Sequence, residues 1–253
     1  MKITKLSWSG LMVESGNTRI YIDPLQHVGD LFAFVGAPKH PIFPVPLPLD
    51  EQIDVLITHI HADHYDQGLL KETFAAKCTI YGPEPVVAAA RNVLLRANLV
   101  HRFETFYLGG LSITPVPAVD WVGEDQVSYV ISDGHHTIFH GGDTNWHGYW
   151  WTFAEKFGPF QAAFLPVNGV KGFLPGQQIK SEISGTMDPL QAVTASRILR
   201  SQVLVPIHYG LFDSPPGYSE YPQVEAVLDQ EAKKQQVVIK FMQDGEYLEL
   251  NTP

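Results

Sequence analysis

Residues 58–64 read Thr58-His59-Ile60-His61-Ala62-Asp63-His64, and the four residues directly before them are the apolar run Asp54-Val55-Leu56-Ile57. An apolar run of this length reads as a strand of a sheet covered on both faces. The His-x-His-x-Asp-His cluster therefore falls where a strand ends and a loop begins, which is where active sites collect in layered α/β folds. Imidazole and carboxylate donors at this density suit a metal ion, with zinc the first choice and manganese or iron the next. On a strict strand the side chains of His59 and His61 share one face and reach one ion. Asp63 and His64 follow as the chain turns and point to a second ion beside it.

The heptad resembles the signature of the metallo-β-lactamase superfamily. Two later stretches match in the same order, Gly141-Gly142-Asp143-Thr144 and Pro206-Ile207-His208-Tyr209-Gly210. Gly185-Thr186-Met187-Asp188-Pro189 is similar to one branch, which holds ascorbate-6-phosphate lactonases and the phospholipase D acting on N-acyl-phosphatidylethanolamine. The resemblance implies a four-layer αββα sandwich; composition alone gives only mixed α/β. It also implies that Asp143 bridges two ions and that His208 completes the second. The predicted metal set is His59, His61, Asp63, His64, Asp120, Asp143 and His208, with Asp63 also orienting water or passing on its proton.

Asp120 is where the chain departs from the pattern. After the strand ending Thr114-Pro115-Val116-Pro117-Ala118 the branch places a His, and this chain reads Val119-Asp120-Trp121. A carboxylate oxygen can replace the imidazole nitrogen at a similar distance. The exchange adds a negative charge, weakens the first ion as a Lewis acid, and shifts preference toward manganese or iron. The competing ligand is His101, at the start of an expected strand; the other reading of Asp120 is a turn residue. Asp23-Pro24 reads either as a neighbour of the metal site, by resemblance, or as a turn.

The implied function is a metal-dependent hydrolase, with a metal-bridging hydroxide attacking an ester, lactone or phosphodiester of a small molecule. No Gly-x-Ser-x-Gly elbow and no phosphate-binding Gly-x-x-x-x-Gly-Lys-Ser/Thr loop competes with it. The alternatives are a diiron redox protein or a nuclease of the same fold. Diiron oxidases of the superfamily carry Glu where this chain has His61, and Asp plus Glu exceeds Lys plus Arg by 27 to 17, against a nucleic-acid partner. The 253 residues suit one domain spanning 1–253. No apolar run is long enough to span a membrane, no signal segment is visible, and the lone Cys78 permits no intrachain disulfide. A cytoplasmic protein is expected, with homo-oligomerisation left open.

Other expectations are local. Residues 25–50, rich in Pro and carrying Phe32, Phe34 and Phe43, read as a long loop covering the substrate, or as one pinned to the core by its aromatics. A helix is expected over 84–98 and strands over 101–106, 111–116, 126–132 and 137–141. A C-terminal hairpin is expected from 237–241 and 247–250. Trp146, His147, Asn168, Lys171 and Tyr209 follow strand ends and either contact substrate or pack in loops. His140 reads as a core residue, and His135 and His136 as an exposed turn.

Overall fold

The structure is a computed structural model and describes residues 1–29, 32–47, 52–173 and 178–251. The first sheet is built from β1 (Lys2–Lys5), β2 (Leu11–Ser15), β3 (Thr18–Ile22), β4 (Ile53–Leu56), β5 (Cys78–Gly82) and β6 (Arg96–Leu99). The second holds β7 (Phe106–Leu108), β8 (Leu111–Pro117), β9 (Val127–Ser132), β10 (Thr137–His140), β11 (Ala162–Pro166) and β13 (Val203–Ile207). The two-residue strands β12 (Lys171–Gly172) and β14 (Tyr218–Ser219) pair with each other, and β15 (Tyr247–Glu249) joins the first sheet beside β1. The helices are α1 (Phe32–Val35), α2 (Glu84–Asn92), α3 (Trp150–Lys156), α4 (Pro189–Ile198) and α5 (Val224–Gln235).

Side-chain alternation explains the layering. Leu11 and Val13 of β2, Ile20 and Ile22 of β3, Tyr129 and Ile131 of β9, and Ala162 and Phe164 of β11 share one buried cluster between the sheets. Their neighbours point outward. Met12 and Tyr21 join the cluster that includes Val86 and Ala90 of α2. Val130, Ala163 and Leu165 join the cluster with Phe153 of α3, Val193 of α4 and Leu228 of α5. Both sheets are thus apolar on both faces, which only helices outside and a second sheet inside can satisfy. The result is the four-layer αββα sandwich. Among the described residues no helix is long and apolar enough to cross a membrane.

Three local expectations need correction. The helix predicted to reach residue 98 stops at Asn92; Leu94 takes a positive φ of 64° and is 94% exposed. Residues 96–99 turn back as β6, parallel to β5. The apolar spacing that suggested a longer helix belongs to a turn followed by a strand. Residues 101–105 form a turn, and the strand starts only at Phe106. The C-terminal hairpin is also absent. Residues 237–241 lie along β13, with Ile239 bridged to Leu204 and Lys240 N donating to Leu204 O at 2.9 Å, whereas β15 pairs with β1. The Asp244-Gly245 turn therefore carries the chain from one sheet to the other.

α4 begins as its sequence predicts. Asp188 caps it, accepting from Gln191 N at 2.9 Å while the Gln191 side chain accepts from Asp188 N, and Pro189 occupies the first helical position.

Candidate metal centre

Two groups of potential ligands meet at the strand ends of the two sheets. His59, His61, Asp120 and Asp143 form one, and Asp63, His64 and His208 the other; within each, one ligand atom per residue lies within 4.8 Å of all the rest. All seven residues singled out from the sequence are in these groups. Asp143 faces both: Oδ1 is 3.6 Å from His59 Nε2, and Oδ2 is 3.8 Å from both His64 Nε2 and His208 Nε2. In the second group Asp63 Oδ2 is 3.3 Å from His208 Nε2 and 3.6 Å from His64 Nε2. In the first, Asp120 Oδ2 is 3.6 Å from His61 Nδ1.

The backbone explains the convergence. β4 ends at Leu56, so His59 and His61 lie on the loop beyond it, and it is this loop, not strand alternation, that turns both toward Asp120 and Asp143. Asp143 arrives through Gly142, whose φ is +63°; a Cβ there would meet Gln126 Nε2 and Thr58 Oγ1 at 3.1 Å. His208 follows β13 with a φ of 57°, unusual for a residue with a side chain, and its N–H donates to Trp8 O at 3.2 Å.

Asp23 fixes the orientation of the cluster. It is fully buried; Oδ1 accepts from Thr58 N at 2.8 Å, and Oδ2 accepts from Thr58 Oγ1 at 2.6 Å and His64 Nδ1 at 2.8 Å. His64 must therefore present Nε2 to the site, the arrangement in which a carboxylate sets the tautomer of a ligating His. The single hydrogen of Thr58 is spent on Asp23, so its oxygen accepts from His59 Nδ1 at 3.0 Å. His59 Nε2 is then a bare lone pair, buried and without a hydrogen-bond partner, directed at a carboxylate. Burial, only partly offset by Asp143, pushes the His59 pKa down to about 3. His64 Nε2 and Asp120 Oδ2 are likewise buried and unpartnered. The His59 lone pair facing Asp143, and the unpartnered Asp120 oxygen, are costly when buried unless a cation lies beside them, so the residues present fit a metal.

Burial works against charge on His64 too, but Asp63, Asp23 and Asp143 outweigh it and raise its pKa to about 10. Burial also opposes ionisation of Asp63, yet His64 and His208 hold its carboxyl well below the usual range. Asp120 goes the other way: burial, then the charge of Asp143, raises its pKa against the pull of His61.

Several residues at the site carried no clear signal in the sequence. Trp8 Nε1 donates to Asp63 Oδ2 at 2.9 Å, and its ring packs 4.0 Å from that of His208. Gln126 Nε2 donates to Asp143 Oδ1 at 2.7 Å. Asp66 Oδ2 accepts from Gln26 N at 2.8 Å and His27 N at 2.6 Å, tying the start of the Pro-rich segment to the metal loop.

A cleft of about 580 Å³ opens onto the ligands, lined beside them by Phe34, Val35, Trp121, Val170, Thr186 and Tyr218. Phe34 is the described aromatic of the 25–50 segment at the cleft. Phe43 borders a separate cavity with Tyr209; the side chain of Phe32 and residues 30–31 and 48–50 lie outside the described residues. Trp146, His147, Asn168, Lys171 and Tyr209 do not line the cleft. Asn168 is buried and donates to Tyr218 Oη at 2.9 Å; Tyr209 donates to Glu225 at 3.1 Å. His140 is a core residue, with Nε2 donating to Ser9 O and Nδ1 accepting from Gly142 N. His135 is exposed, but His136 is buried against Asp133, which accepts from His136 N at 2.7 Å. His101 is exposed and outside both ligand groups.

His147 yields a stability prediction. Its ring stacks 4.2 Å from Trp150, and burial lowers its pKa from 6.5 to about 4. Between these values the unfolded chain binds a proton that the folded chain refuses, so stability falls as pH drops from about 6.5 to about 4. The difference amounts to about 3 kcal/mol between pH 7 and pH 4. Denaturant titrations at both pH values should show His147→Phe losing about 3 kcal/mol less than the unsubstituted protein. Equal losses would contradict this assignment.

The beta-lactamase superfamily domain family matches residues 18–209. A metal-dependent hydrolase of Thermococcus kodakarensis is 27% identical over 263 aligned residues, covering 99% of this chain and all of the relative. An isothiocyanate hydrolase from Delia radicum gut bacteria superposes with a TM-score of 0.77 at 18% identity, covering 99% of each chain. CmlA, a diiron β-hydroxylase from Streptomyces venezuelae, superposes with a TM-score of 0.75 at 16% identity, covering 98% of this chain and 54% of that one. The two structures show a shared fold alone. The family match spans most of the chain and includes the first motif, Asp120, Asp143 and His208, and with it the chain belongs to the metallo-β-lactamase superfamily.

Proposed function

We propose that this chain is a metal-dependent hydrolase of small molecules that holds two divalent ions. His59, His61, Asp120 and Asp143 would hold one, and Asp63, His64, His208 and Asp143 the other. The observation that carries the reading is the pair of buried ligand groups facing the two oxygens of Asp143. The mixed imidazole and carboxylate donors make zinc the first choice, with manganese or iron favoured by the carboxylate at position 120. When bound, two such ions polarise a scissile carbonyl or phosphoryl oxygen and make a hydrolytic nucleophile available near neutral pH.

The chain's own residues do the rest. Asp63, held by Trp8 and kept ionised by its histidines, orients water and takes its proton. Asp23 holds the tautomer of His64. Gly185 and Thr186, from the stretch similar to the lactonase and phospholipase D branch, stand in the cleft wall, which supports kinship with that branch. The acidic balance supports a small-molecule substrate over a nucleic acid.

Metal-replete protein should hydrolyse at least one member of a panel of esters, lactones, thioesters and phosphodiesters. Chelation should abolish the reaction and metal addition restore it. Activity that survives complete metal removal would contradict the proposal.

A further inference from the structure

The cleft wall restricts what can react there, given the hydrolase reading above. Phe34, Val35, Trp121, Val170 and Tyr218 make the wall apolar, and no Lys or Arg is among its residues. The residues outside the described set contain none either. Lys171 follows Val170 in the chain but is not in the wall, and Lys39 is paired with Glu220 at 2.9 Å. Two polar groups of the wall are held by Asn168 behind it. Tyr218 Oη accepts from Asn168 Nδ2 at 2.9 Å, and Thr186 bonds Asn168 Oδ1. Trp121 is set by Gly185: a Cβ there would meet the indole at 2.2 Å, so the ring lies directly on the glycine backbone.

Charge points the same way. Asp63, Asp120, Asp143 and the buried Asp23 behind His64 supply four negative charges against the four positive charges of two divalent ions, so none is left over. A His at position 120 would leave one. A phosphate or carboxylate on the substrate would thus enter an apolar cleft with no side-chain cation to meet it, and burying an unpaired charge is expensive.

We propose that the substrate is an uncharged carbonyl compound with an apolar or aromatic body, a carboxylic ester, thioester or lactone, seated against Phe34, Trp121 and Tyr218. It is not a phosphate ester. Hydrolysis adds water across the acyl bond. The water oxygen bonds the acyl carbon, the bond to the leaving oxygen or sulfur breaks, and one water proton goes to the leaving group. The other is released as the product carboxylic acid ionises.

The test uses metal-replete protein and two esters with the same reacting carbonyl and leaving group, p-nitrophenyl hexanoate and mono-p-nitrophenyl adipate. They differ by one distal carboxylate. The neutral ester should have a kcat/KM higher by about 30-fold. Phe34→Arg, at a half-buried position outside the ligand groups, should reduce that preference to about 3-fold or less by supplying the missing cation. A preference for the adipate ester, or hydrolysis of bis(p-nitrophenyl) phosphate with neither ester accepted, would overturn the substrate class while leaving the hydrolase reading intact. A binding measurement stands apart from turnover. Calorimetric titration with 4-phenylbutan-2-one, a neutral ketone that cannot be hydrolysed, should show binding that weakens by at least about 5-fold in Trp121→Ala. If no compound is hydrolysed, the hydrolase reading fails and this titration still decides the nature of the cleft. Absence of binding, or binding indifferent to Trp121, would overturn the proposal.

Discussion

His208→Ala should lower hydrolytic turnover by about 10³-fold or more and, where the native chain is expected to hold about two ions, leave about one. Its imidazole lies 3.3 Å from Asp63 Oδ2 and 3.8 Å from Asp143 Oδ2 and belongs only to the second ligand group. A catalytic ion is worth several kcal/mol of transition-state stabilisation, and each 1.36 kcal/mol is tenfold in rate. The substitution also removes the ring that packs on Trp8, the residue holding Asp63. The effect should therefore appear in kcat, with the ions of the first group retained. Circular dichroism and a melting curve separate loss of function from loss of fold. Full activity with two ions bound would assign the ligand role to another residue.

Asp120→Asn should weaken the ion of the first group by at least about 100-fold. Asp120 has two distinct tasks. Oδ1 accepts from Val122 N at 2.6 Å and Glu124 N at 3.0 Å, which shapes the turn, whereas Oδ2 is buried without a partner beside His61. Asn keeps the acceptor for the turn and replaces the free oxygen with an amide nitrogen that cannot ligate. Loss of an outer partner alone costs about 10–100-fold in metal affinity, so loss of a ligand should cost at least the upper figure. Asp120→His should instead retain both ions and favour zinc over manganese more strongly than the native chain. Competition with a chromophoric chelator measures both. Unaltered affinity in Asp120→Asn would reduce Asp120 to a turn residue.

What the sequence revealed followed from how local each signal was. His59, His61, Asp63 and His64 lie within one loop behind one strand, and their spacing alone pointed to a metal. Strand runs in both halves of the chain, each followed by helices, suggested two sheets with helices outside, while the four-layer αββα arrangement itself came from family likeness. Asp143, His208 and Asp120 became legible only through family likeness, since nothing local distinguishes a ligand from a turn at a strand end. Trp8 reaches Asp63 across 55 positions and Gln126 reaches Asp143 across 17, through contacts that chain order does not encode; Asp23, read by likeness as a neighbour of the site or as a turn, reaches His64 across 41. The errors share a cause. Val93-Leu94 continued a helical pattern but belongs to a turn, and the residues around Asp244-Gly245 looked like a hairpin because turn chemistry does not say which sheet receives the next strand. For His147, read as either a substrate contact or a packed loop residue, the second holds: its ring stacks on Trp150.

The central claim is that the seven residues hold two metal ions, and elemental analysis tests it most directly. Protein equilibrated with zinc or manganese and freed of excess metal should carry about two ions per chain, falling to about one in His208→Ala. No bound metal after such loading would contradict the account, and tight uptake of iron alone would favour the diiron redox alternative over the hydrolase.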